Sequence, residues 1–149
     1  MGKEILVKIL NDALLPFGFK RKGNTWVLNG PEINKIVNMQ RSLYSNLYYI
    51  NYGYVINSLP KDGFFMHVDK RLGSYDKQVD IEIRNLLDFE NSSPENLRIE
   101  KLSNYVNSII VEEMNGIKNE LDLLHHILRG PLYGIPTVVL KHFNLSAPG

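Results

Sequence analysis

The chain has 149 residues, 44% hydrophobic and 22% charged, with 17 Lys and Arg against 16 Asp and Glu for a formal net charge of +1. That composition predicts one globular domain over 1–149, able to bury roughly 70% of its unfolded surface without a metal or disulfide. It gives no electrostatic case for a nucleic acid or an acidic membrane as main partner. The absence of cysteine excludes disulfides, thiolate metal centres, iron–sulfur clusters and cysteine nucleophiles.

In chain order, residues 3–15 read as an amphipathic helix. Ile5, Ile9 and Ala13 fall four apart, as do Leu6, Leu10 and Leu14, making one apolar stripe. Lys8 and Asn11-Asp12 break the continuous hydrophobic run along the chain, so it does not read as a secretory leader, and no stretch approaches a membrane span. A cytoplasmic protein is expected. Pro16 and Gly18 stop the helix, and Phe17 to Gly23 reads as a basic connection.

Over 25–84 the period becomes two-fold, the signature of a sheet. Strands are expected at Thr25–Leu28, Ile33–Gln40, Leu47–Asn57, Phe64–Leu72 and Val79–Ile83. Asn29-Gly30 marks a turn after the first. In the third, neither face is polar throughout, which places it centrally. In the fifth, Val79, Ile81 and Ile83 alternate with Asp80, Glu82 and Arg84, as on a half-buried edge strand.

Helical spacing returns over 94–145. Ser93-Pro94-Glu95 reads as an N-cap, a first-turn proline and an acid at the positive helix end. Leu102, Val106, Ile110, Met114, Ile117, Leu121, Leu124 and Leu128 then follow at steps of four and three. Gly116 is the place where this run would bend or break, and the spacing alone leaves one helix or two open. A short helix is expected over Pro136–Leu145. The order predicts an α+β fold: an N-terminal helix, a mostly antiparallel meander of about five strands, and C-terminal helices packed on one face.

Gly18-Phe19-Lys20-Arg21-Lys22-Gly23-Asn24-Thr25-Trp26 after a leading helix resembles the opening of the bacterial domain of unknown function 4304 family. Ile36 to Ser42, Tyr49-Ile50-Asn51-Tyr52-Gly53, and His67 followed by Arg71-Leu72-Gly73 are similar to its later strands. The resemblance covers about residues 5–75. It implies a compact bacterial cytoplasmic domain and carries over no catalytic residue, ligand or reaction.

Several constellations carry chemical potential. Lys20, Arg21 and Lys22, flanked by Phe19 and Trp26, have the makings of a phosphate or single-strand contact, against the alternative of a solvated turn. Asp122 and His126 share a helix face, with His125 adjacent, yet the pattern lacks a third ligand, so no metal is expected. There is no nucleophile elbow and no phosphate loop. Gln40, Asn51, His67, Asp69 and Arg71 (with Asn38 beside them) lie among apolar strand neighbours and form a candidate ligand pocket, provided the register brings them to one face. Tyr48, Tyr52 and Tyr54 alternate along one strand in a cluster with Tyr44 and Tyr49; uncovered, they would make an interaction surface, and covered, they pack beneath helices.

With no assembled catalytic set and no cofactor implied, the expected function is non-enzymatic binding of a protein partner, an immunity-type protein being one version. The alternative is a small-ligand binder or enzyme with His67 as acid/base and Arg71 as anion clamp. A second is weak nucleic-acid binding through Lys20 to Lys22.

Overall fold

Leu6, Ile9, Leu10, Ala13 and Leu14 bury one face of helix α1, Gly2–Leu14, and a single 3₁₀ turn at Leu15–Phe17 carries Pro16 to its end. These belong to a computed structural model that describes residues 2–146. No helix among the described residues is long and apolar enough to cross a membrane.

The sheet has five strands in consecutive order, all antiparallel: β1 Lys20–Lys22, β2 Thr25–Leu28, β3 Ile33–Arg41, β4 Tyr48–Ile56 and β5 Val68–Arg71. The meander and the α+β class are as the sequence predicts, but the strand set differs at both edges. The basic run is a strand rather than a connection. Lys22 pairs with Thr25 across the two-residue turn Gly23-Asn24, and Gly23 takes the left-handed conformation such turns favour, φ 62°.

At the other edge, Val79–Ile83 is not a strand. It lies within helix α2, Lys77–Leu87, whose N-cap Asp76 accepts hydrogen bonds from the N–H groups of Gln78 and Val79. Ile83, Leu86 and Leu87 are buried while Ile81 is half exposed, so the operative period is helical. Phe64–Leu72 also shortens to β5. Its His67 turns inward and its Nδ1 accepts from Ile56 N–H at 2.9 Å, taking the place of a backbone partner and ending the ladder there.

The C-terminal run is two helices. The first begins as α3, Glu95–Tyr105, passes through a π-helical stretch at Val106–Val111, and ends as α4, Glu112–Asn115. Its start lacks the expected Ser93 cap, Pro94 standing at the N-cap without a side-chain bond. Asn119 caps α5, Glu120–Leu128, by accepting from Asp122 N–H, and α6, Thr137–His142, is shorter than expected.

The π stretch has a readable cause. Leu102, Val106, Ile110 and Met114 are all buried at steps of four. An α-helix turns ~100° per residue, so three such steps would swing the stripe about 120° off the core. The wider i→i+5 turn winds more slowly and holds all four inward.

These helices cover one face of the sheet. Trp26, Val37, Met39, Ile50, Tyr52, Tyr54 and Ile56 share a core with α1, α2, α3 and α5. Trp26 Nε1 donates to Asn11 Oδ1 of α1 at 2.9 Å. On the opposite face, Val27 packs against a small cluster of Ile36, Val55 and Met66, where the loop before β5 returns over the sheet.

Candidate functional site

The register decides which candidate residues meet. Lys22 pairs with Thr25, Thr25 with Asn38, Asn38 with Asn51, and Asn51 with Arg71. One polar rung therefore crosses all five strands on the face without helices, with a cation at each end. Residues two apart share a face, which adds Lys20, Gln40, Tyr49 and Asp69.

Of the five predicted pocket residues, Gln40, Asn51 and Arg71 come together. Asn51 Nδ2 donates to Gln40 Oε1 at 3.0 Å and weakly to Asn38 Oδ1 at 3.4 Å. Arg71 Nε donates to Asn51 Oδ1 at 3.1 Å and Nη2 to Gln40 Oε1 at 3.3 Å. Asn38 Nδ2 donates to Thr25 Oγ1 at 3.2 Å, and the Arg71 guanidinium stacks 4.0 Å from the centre of the Tyr49 ring. The network fixes Arg71 in place and leaves Nη1 open to solvent-side partners.

His67 does not join them. It is 1% exposed, with Nδ1 on Ile56 N–H and Nε2 donating to the Pro60 carbonyl at 2.9 Å. Both ring nitrogens serve the backbone, so the expected acid/base role has no free atom to act through. Asp69 lies on the open face two residues from Arg71, and no side-chain hydrogen bond ties it to the network. The pocket expected from the sequence is an open shelf of three of its five residues.

The proposed interaction surface splits likewise. Tyr48, Tyr52 and Tyr54 are buried under the helices and offer no docking surface. Their alternation with Tyr49 and Asn51 puts them on the covered face. Lys20 and Lys22 lie on the open face, whereas Arg21 points to the helical side, 5.5 Å from the centre of the Trp26 ring.

A second cluster went unseen in the sequence. Glu113 Oε2 accepts from the Tyr54 hydroxyl at 2.8 Å; its Oε1 accepts from Lys70 Nζ at 2.9 Å and lies 3.6 Å from His126 Nε2. Burial, with Glu113 adding to it, raises the Tyr54 and Tyr52 hydroxyls far above the ordinary tyrosine range. Burial also holds His126 below the usual imidazole value, against the pull of Glu113 and with Lys70 and Arg129 assisting. Glu113 and Lys70 stand 43 residues apart, so no local motif announces them; the four-residue steps that force the π turn were the one hint. Asp122 is engaged in capping Lys118 N–H, and no group of three or more metal-capable side chains converges among the described residues.

Comparison with protein families gives a match. The family model described as Domain of unknown function (DUF4304) covers residues 10–117. No curated protein and no solved structure matches the chain.

Proposed function

The chain belongs to the DUF4304 family, and we propose that it works by recognition: a bacterial cytoplasmic domain that binds an acidic protein surface on its helix-free sheet face. The observation that carries this is the immobilised Arg71. Two hydrogen bonds and the Tyr49 stack hold it at the end of an amide rung, so little side-chain freedom remains to be lost on binding. Lys20 and Lys22 share that face, and Asp69 is the one acid among its strand residues, which favours a negatively charged partner. Arg and Tyr are the residue types that dominate interface energetics. An immunity-type role, in which the partner is a toxin, is the concrete version. Catalysis from this shelf is less well supported, because its assembled members are amides and a guanidinium, none of which exchanges protons near neutral pH.

The test is site-specific photo-crosslinking in the native host. A photoreactive residue at Asp69, on the open face but outside the hydrogen-bond network, yields a discrete protein adduct, one at Glu100 on α3 does not, and Arg71→Glu abolishes the adduct. A hot-spot arginine is worth ~2 kcal/mol or more, about 30-fold in affinity. Equal adducts from both positions, or indifference to Arg71→Glu, contradict the reading. So does predominant crosslinking to nucleic acid.

A further inference from the structure

We propose that the acidic partner inserts one of its carboxylate side chains between Arg71 and Arg84, in the notch where β5 ends beside α2; this rests on the recognition reading above and specifies its contact. β4 begins at Tyr48 but pairs with β5 only over 51–54. The last backbone bond along that edge runs from Leu72 N–H to the Ile50 carbonyl at 2.7 Å, and the chain then turns through Gly73 and Ser74 toward α2. The start of β4 therefore outruns its neighbour. Between it and α2 lies a notch of about 200 Å³, lined on its apolar side by the buried Leu72, Ile83 and Leu87. Pockets that hold a whole small molecule run to roughly 300–1,000 Å³, so this one has room for a single side chain.

Its charge is unbalanced. Of the lining residues, Arg71, Arg84 and Asp80 are charged. Arg71 uses Nε and Nη2 on Asn51 and Gln40 and keeps Nη1. Arg84, exposed in the last turn of α2, makes no hydrogen bond or ion pair among the described residues. Asp80 stands one helical turn before Arg84 without pairing with it; its Oδ1 accepts instead from Ser74 N–H at 3.0 Å. That bond ties the first turn of α2 to the end of β5, which is why a strand arginine and a helix arginine line one notch.

Two guanidinium groups against one committed carboxylate leave a net positive charge, and the planar guanidinium fork matches the geometry of a carboxylate. The apolar lining suits the methylene stem that carries such a group. Arg71 belongs both to this notch and to the amide shelf, so the notch continues the surface on which the partner lies.

The test uses the full chain with two blocked tripeptides as probes, acetyl-Ala-Glu-Ala-amide and its neutral glutamine counterpart. Binding is read from the NMR signals of the Arg71 and Arg84 Nε–H groups. The acidic peptide moves both with one constant and saturates by ~50 mM, where a ~5 mM binder is about nine-tenths occupied; the neutral peptide does not. Arg84→Gln, at an exposed position with no bond to lose, weakens binding about tenfold. Asp80→Asn keeps an oxygen for Ser74 N–H, removes the opposing charge and tightens binding about threefold. The proposal is overturned by shifts that fail to saturate, by an equal response to the neutral peptide or to sodium chloride at matched ionic strength, or by indifference to Arg84→Gln. An Asp80→Asn variant that binds no more tightly also overturns it. If the Arg71-dependent crosslinked adduct forms while the peptide fails to saturate, this contact is wrong and the recognition reading stands; absence of the adduct removes both.

Discussion

His67 offers the sharpest test of how this fold is held. Replacing it with alanine leaves the Ile56 N–H, on a residue with no exposure, without an acceptor. An orphaned buried donor costs about 1–3 kcal/mol. The Pro60 carbonyl loses its donor too, but Pro60 is exposed and water restores most of that bond, leaving ~1 kcal/mol. Removing the ring also opens a void, adding ~1 kcal/mol after partial collapse. The sum is about 3–5 kcal/mol, a large share of a typical stability of 5–15 kcal/mol. For a chain of this length it corresponds to a melting-temperature drop of roughly 6–20 °C. Urea titration of wild type, His67→Ala and His67→Asn measures it. Asparagine can present its oxygen near the position of Nδ1 and keep the Ile56 bond, so it recovers half or more of the loss. An alanine variant within ~0.5 kcal/mol of wild type would falsify the reasoning, and so would an asparagine variant no better than alanine.

Other consequences follow from the same geometry. Gly53→Ala places a methyl group against the Val68 carbonyl oxygen in the middle of the sheet, so a loss above ~2 kcal/mol is expected in denaturant titration; a neutral result contradicts the β4–β5 pairing. Asp76→Ala removes the α2 cap and costs ~1 kcal/mol, with faster amide exchange confined to the first turn of α2. Above pH ~10, Tyr52 and Tyr54 lose protons in the unfolded chain before the native one. Stability then falls by ~1.4 kcal/mol per pH unit per tyrosine, and the double Tyr→Phe variant flattens that limb. His126 works in the acid direction: the unfolded chain takes up its proton below pH ~6.5 while the native ring resists, so stability declines from there toward its lowered native value, and His126→Gln removes that decline.

Much of this architecture was legible where one periodicity had no competitor. β3 and β4 are nine-residue extended runs rich in apolar and β-branched or aromatic residues, and β4 is an interior strand largely covered on both faces, as its sequence reads. α1 carries an uninterrupted helical stripe. The failures are cases where two patterns coincide. Val79, Ile81 and Ile83 fit a period of two, while Val79, Ile83, Leu86 and Leu87 fit a helix; the longer pattern, with Asp76 placed to cap it, prevails. Gly23-Asn24 is a turn signal of the kind that joins paired strands, and it was overshadowed by the charges beside it, which reads a protected edge strand as a loop. For the site, Asn38, Asn51 and Arg71 were found because strand parity is a local property. Glu113, Lys70 and Tyr54 were not, because their meeting depends on helix–sheet docking across dozens of residues.

The two faces of β5 connect these observations. Asp69 and Arg71 belong to the open shelf, whereas Val68 and Lys70 face the helices and the Glu113 cluster. A slip of one residue would exchange the two sets, burying Arg71 and exposing Lys70. β5 is only four residues long and lies at an edge, so its own ladder bonds give weak insurance against such a slip. The stronger constraint sits just before it, where His67 N–H donates to the Tyr54 carbonyl and the His67 ring accepts from Ile56 N–H. A shifted strand could not satisfy both while keeping the Pro60 bond. His67 therefore touches neither site yet determines which residues each receives, and its buried, doubly engaged imidazole is a register lock.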